Sequence, residues 1–324
     1  MSSELAEAVD DAGGAALEGF EVDEQLQAYL RAARAPNTLA AYRSDWGEFE
    51  AWCQHRQLVA LPATPETLAR YLVELAEVAR VSTVGRRISS VAQRHRVAGL
   101  PVPSDDPRLR AVWAGIRRVH GVAPRRASPL TVDLLRRTID AVPSGVAGTR
   151  DRALLLVGFA AALRRSEIVA LDVDDVTQVA EGLVVNKRRS KTDQEGAGEL
   201  LGVPYGSNPS TCPVRAVEAW CQQARIRDGA LFRSVDRHGK IGAERLAAPA
   251  VNRLVQRAVA RAGLPPGRYS AHSLRAGLAT SAATAGVSER SIMNQTGHRS
   301  LTVARGYIRQ GSLFIDNAAA QVGL

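Results

Sequence analysis

A chain of 324 residues, 45% of them hydrophobic, has room for two domains that each bury a core. Basic side chains exceed acidic ones by nine, yet residues 1–24 hold eight acids and no Lys or Arg, so the remainder carries about +17 and should attract a polyanion in a salt-dependent way. The longest apolar stretch, roughly Ala153 to Leu163, is too short to span a bilayer, no hydrophobic signal opens the chain, and Cys53, Cys212 and Cys221 have the spacing of neither a disulfide framework nor a zinc site, which sets aside membrane and secreted classes for a cytoplasmic protein.

Residues 1–22 mix acids with Gly and Ala without helical periodicity and read as a disordered acidic leader. From 23 to 120 the apolar spacing predicts a helical domain, with helices over 23–33, 38–57, 65–79, 83–98 and 107–120. Asn37, after Pro36, is the expected N-cap of the second helix. Thr64 precedes a proline in the first turn of the third, and Ser82 opens the fourth, which Gly99 and Pro101 stop. Arginines gather here at Arg43, Arg86, Arg87, Arg94, Arg96, Arg117 and Arg118, with Arg31 and Arg34 near the start, and form the expected polyanion-facing set. Residues 121–129 (GVAPRRASP) carry two prolines, a glycine and two arginines, and are the predicted linker. Arg125 and Arg126 join the same set.

The second predicted domain, 130–324, opens with helices near 131–142 and 148–163. A small antiparallel sheet follows, with a strand over 182–191, a turn over 192–198 and a returning strand over 199–205. Helices dominate again from Pro213, apart from a looser stretch at 227–246. The expected fold class is mostly α with a small antiparallel β-sheet in the C-terminal domain.

Several segments of this domain carry chemistry. In Ala162-Leu163-Arg164-Arg165-Ser166-Glu167 a hydrophobic helix runs into two arginines and a glutamate, so a charged group is delivered from a rigid element. Ser270-Ala271-His272-Ser273-Leu274-Arg275 begins another helix and places His272 and Arg275 at i and i+3, beside free backbone N–H groups suited to an anion. A helix from about Ser288 to Thr296 closes at Gly297, His298 follows at once, and Tyr307 stands nine residues beyond it.

The order Arg…Lys…His-x-x-Arg…Gly-His…Tyr resembles the tyrosine recombinase family of phage integrases, Xer and Cre proteins. The resemblance covers nearly the whole chain and is strongest over 151–310. It implies a helical, SAM-like core-binding domain and a catalytic domain that form a C-shaped clamp on double-stranded DNA, without the extra N-terminal arm-site domain of larger integrases. By the same resemblance, Arg164 and Arg275 are the two catalytic arginines, Lys191 the strand-turn lysine, His272 and His298 the two histidines and Tyr307 the nucleophile. Glu167 supports the first arginine, and Arg189, beside Lys191, joins the DNA contacts. A homo-tetramer on paired inverted half-sites, passing through a Holliday junction, is implied too, with no cofactor, no metal, no membrane and no small-molecule substrate. Residues 313–324 (LFIDNAAAQVGL) match the tail helix that docks on a neighbouring protomer in the family, docking on its own domain being the alternative. Ala162 departs from the glycine of many relatives, and Arg165 is bulkier than some of its counterparts.

The residue types suit the chemistry. Displacing an alkoxide from a phosphodiester loads charge onto two non-bridging oxygens, which forked, permanently charged guanidiniums stabilise. A phenol of ordinary pKa about 10 must lose its proton as it attacks, a task for a nearby imidazole. The departing 5′ oxygen needs a donor, and lysine delivers a proton where arginine scarcely does. In a chain with 39 arginines and three lysines, Lys191 is the first choice and Lys187 the second. Two other readings remain: strand relaxation of the topoisomerase IB type, and a non-catalytic DNA-binding regulator that keeps the fold.

Overall fold

The computed structural model describes residues 36–123, 127–188, 198–298 and 300–311, with Val322. The leader, the helix expected over 23–33 with Arg31 and Arg34, the linker arginines Arg125 and Arg126, Arg189, Lys191, and the tail expected over 313–324 apart from Val322 lie outside the described residues. The chain divides into two units, Met1–Arg125 and Arg126–Leu324.

In the first unit four helices are described: α1 (Pro36–His55), α2 (Pro65–Val78), α3 (Val81–Val97) and α4 (Pro107–His120). The α1 helix already includes Pro36, whose fixed φ suits a first helical position, so Asn37 lies inside it and is not the cap expected from the sequence. Thr64 does cap α2, its hydroxyl accepting from Thr67 N at 3.1 Å. Apolar stripes of the helices meet in a core of Phe49, Cys53, Leu68, Leu72, Val84 and Val91. His95, fully buried, accepts from Ala63 N through Nε2 and donates through Nδ1 to the Val91 carbonyl, both at 2.8 Å. Burial pushes its pKa down, which keeps the imidazole neutral in this role.

Arg87 requires a correction. Expected to face DNA, it is 5% exposed, ion-paired with Asp45 and Glu48, and donates from Nη1 to the Asp45 carbonyl at 2.8 Å. It ties α3 to α1. A buried charge of this kind needs its counter-charges nearby, and a groove contact would forfeit them.

The second unit is built around α6 (Val146–Ala160), whose buried face of Ala153 to Val157 needs cover on several sides. Around it are α5 (Val132–Asp140), α7 (Arg165–Ala170), α8 (Pro213–Ala224), α9 (Ala248–Arg261), α10 (His272–Thr284), α11 (Glu289–Thr296) and α12 (Leu301–Gly311). Strands β1 (Val176–Val179), β2 (Gly182–Lys187) and β3 (Glu199–Pro204) form an antiparallel sheet in the order β1-β2-β3, and β4 (Arg233–Val235) pairs with β5 (Ile241–Arg245) inside the stretch read as looser. Both β1 and this hairpin go beyond the two strands expected. Gly277 lets α10 pass close to the incoming chain, since a Cβ there would lie 2.0 Å from the Leu130 carbonyl oxygen. Among the described residues no helix is long and apolar enough to cross a membrane.

Candidate active site

Past α6 the chain turns at Ala162, which takes the left-handed conformation at φ 49°, and Arg164 then caps α7. That conformation favours glycine, so the alanine here holds a backbone that glycine would take without strain. Glu167, 3% exposed, accepts from the Arg164 backbone N at 2.8 Å and from its Nη1 at 2.6 Å, so one carboxylate fixes both the turn and the guanidinium. Arg275, on the first turn of α10 and 2% exposed, donates from Nη1 to the Ala162 carbonyl at 2.8 Å. Its Nη2 is buried with no acceptor among the described residues. Burial, and then the charge of Arg164, push the Arg275 pKa down to about 10, so it stays charged at neutral pH in a place that favours an incoming anion.

Tyr307, on α12, packs its ring with Ala276, Ala279, Ala283 and Ile292, and its hydroxyl lies 2.6 Å from Nε2 of His272 at the start of α10. Gly297 ends α11 at φ 62°, which turns the chain into His298. The His298 ring stacks on Tyr307 with centroids 5.5 Å apart and planes 20° from parallel. Thr296 Oγ1 stands 2.7 Å from His298 Nδ1 and fixes the ring plane. Burial, with the charges of Arg275 and Arg164 behind it, pushes the His298 pKa down to about 4, so this imidazole is neutral at physiological pH.

Two guanidiniums, two imidazoles and a phenol thus gather from four segments at least a hundred residues apart at the extremes. A family model described as the phage integrase family matches residues 129–312, and one described as the phage integrase N-terminal SAM-like domain matches residues 24–98. This chain belongs to the phage integrase family. It is a tyrosine-type site-specific recombinase. An integrase/recombinase xerD homolog of Selenomonas ruminantium is 38% identical over 293 residues, 89% of this chain and 86% of that one, and the recombinase cre of Escherichia phage P1 is 28% identical over 80% of each. The fold is shared with a XerH site-specific recombinase bound to palindromic difH (TM-score 0.66, 14% identity, 91% of this chain and 83% of that one). It is shared too with a lambda integrase dimer bound to a COC′ core site (TM-score 0.57, 18% identity, 86% and 90%).

Within this recombinase the remaining sequence-predicted residues are spread more widely. Arg43, Arg96, Arg117 and Arg118 are exposed. Arg94 sits over the Trp46 ring at 5.7 Å, and Arg86 spends Nε and Nη2 on Asp45 at 2.7 and 2.9 Å. Lys187, the second-choice lysine, is buried at the end of β2 and ion-paired with Glu199. Three contributors to the recombinase site carried no sequence signal of their own: Thr296, Glu199 and the Ala162 carbonyl. Only the helix-closing glycine beside Thr296 marked that segment.

Proposed function

We propose that this recombinase cleaves one DNA strand by attack of Tyr307 Oη on the scissile phosphorus, leaving a 3′-phosphotyrosyl bond and a free 5′ hydroxyl. The observation that carries the reading is the 2.6 Å contact between Tyr307 Oη and His272 Nε2, next to a buried guanidinium nitrogen of Arg275 that has no protein acceptor among the described residues. As the O–P bond forms, the phenol proton passes to His272. Arg164 and Arg275 clamp the two non-bridging oxygens, and Glu167 holds the first guanidinium in place. His298, its ring held at Nδ1 by Thr296 Oγ1, which gives its own proton to the Ile292 carbonyl, takes the phosphate-binding role. Lys191 protonates the departing 5′ oxygen as the P–O5′ bond breaks. One phosphodiester is exchanged for another, so a 5′ hydroxyl from a second duplex reverses the step near thermoneutrality.

The protein acts as a homo-tetramer on two duplexes with paired inverted half-sites, through a Holliday junction. This part is supported by the likeness in fold to a lambda integrase tetramer bound to a Holliday junction (TM-score 0.59, 18% identity). Arg43, Arg94, Arg96, Arg117 and Arg118, together with Arg125, Arg126 and Arg189, supply phosphate-backbone contacts, and the residues from 313 on dock on a neighbouring protomer. A nicked suicide substrate from the flanks of the coding locus tests the reaction. Wild-type protein should become covalently linked to a 3′ phosphate, and Tyr307→Phe should not. A 5′-linked adduct, or one that persists in Tyr307→Phe, contradicts the reading.

A further inference from the structure

At the last rung of the β2–β3 ladder Lys187 faces Glu199, and their side chains form an ion pair. The lysine side chain is 4% exposed and the glutamate 37%. Burying an ammonium is costly, and an apolar cross-strand pair would close the ladder as well. The location gives the pair a different purpose. Gly297 lies directly against it: a Cβ at 297 would be 3.2 Å from Glu199 Oε2 and 3.3 Å from Lys187 Nζ. The pair is therefore packed under the turn that presents His298. Lys187 also lines, together with Glu167, the carboxylate that holds Arg164, a cavity of about 370 Å³. The charge of Glu199 reaches Arg275 as well, strengthening that guanidinium's hold on its proton.

On the reading given above, the site receives a phosphate whose negative charge grows as the reaction proceeds. A bare carboxylate at that distance would repel the phosphate and compete for the guanidinium that should clamp it. We propose that Lys187 and Glu199 are a positioning pair for strand cleavage, in which the Lys187 ammonium cancels the Glu199 charge at the edge of the phosphate site and the two together buttress the Gly297–His298 turn. Neither touches the reacting atoms. This separates Lys187 from the proton-donor role that its residue type invites.

The test uses the full chain and the nicked substrate, with adduct rate and DNA affinity measured separately. Lys187→Met, which leaves Glu199 bare, should slow adduct formation by about 30-fold with affinity changed less than about threefold. Glu199→Gln alone should cost less than about tenfold, and the charge-neutral double variant Lys187→Met/Glu199→Gln should run within about threefold of Glu199→Gln. The double variant carries no bare charge, so its comparison with Glu199→Gln decides the matter even if Lys187→Met folds poorly. A Lys187→Met protein as fast as wild type overturns the proposal. A double variant about 30-fold slower than Glu199→Gln overturns it as well, because that loss belongs to a lysine acting on the reacting atoms. Wild-type protein that forms no Tyr307-linked adduct overturns the underlying reading along with the pair's role, whereas active wild type with an unrescued double variant overturns the pair's role alone.

Discussion

Arg87 in the helical unit and Arg275 in the catalytic unit are buried to a similar degree, 5% and 2% exposed, but their guanidiniums meet different surroundings. Two carboxylates, Asp45 and Glu48, answer the charge of Arg87 within its own unit. Arg275 donates to one backbone carbonyl, forms no ion pair with a carboxylate among the described residues, and has the like charge of Arg164 within reach. The first arrangement stabilises a fold, because a buried charge with its partners in place ties helices together. The second holds electrostatic capacity in reserve for an anion that arrives from outside. Basic residues that look alike in a sequence therefore divide by whether the protein supplies their counter-charge.

The contrast is open to direct attack. Arg87→Met removes the buried ion pairs to Asp45 and Glu48, leaving Asp45 to Arg86 alone, and should destabilise the helical unit by about 3 kcal/mol in denaturant titrations. Arg275→Lys keeps a charge but loses the fork, and should slow adduct formation by about 10²–10³-fold, roughly 2.7–4 kcal/mol, while the denaturation midpoint barely moves. Equal losses of stability in the two variants would break the comparison.

A smaller effect follows from His298. Its pKa is about 4 in the folded chain against an ordinary 6.5, so between those values the unfolded chain binds the proton first. Stability should fall as pH drops from about 6.5 towards 4, with no further loss from this group below 4. His95, also pushed down by burial, acts in the same direction in the other unit. The share of His298 is therefore the difference between melting curves of wild type and His298→Gln across that window. The smallest effect is at Ala162, where glycine relieves the left-handed backbone but loosens the unfolded chain. Ala162→Gly should raise stability by about 0.5–1 kcal/mol, seen as a modest rise in melting temperature.

The parts of the site fixed by local spacing are legible in the sequence itself. His272 and Arg275 share a helical turn, Gly297 stops a helix just ahead of His298, and each of these relations spans a few residues. The relations that the sequence hides are those made across the fold. Thr296 is one threonine among many until its hydroxyl meets His298, and Lys187 and Glu199 become neighbours only through strand pairing. The β1 strand gives no signal because its burial runs intermediate and then exposed, with no alternation to mark an inner face. The β4–β5 hairpin is too short and polar to announce itself. The arginine cluster misleads at Arg87, since the sequence around α3 places no acid near it and the carboxylates come from α1.

The central claim is that the phenol, the imidazole and both guanidiniums of one chain make one complete site. The most direct test mixes Tyr307→Phe protein, which keeps the clamp, with Arg275→Ala protein, which keeps the nucleophile, on the nicked substrate that wild type captures. Each tyrosine should serve only its own clamp, so the mixture should form no covalent adduct. Adduct formation by the mixture at a rate near that of wild type would contradict the account, since a nucleophile would then be reaching a clamp in another chain.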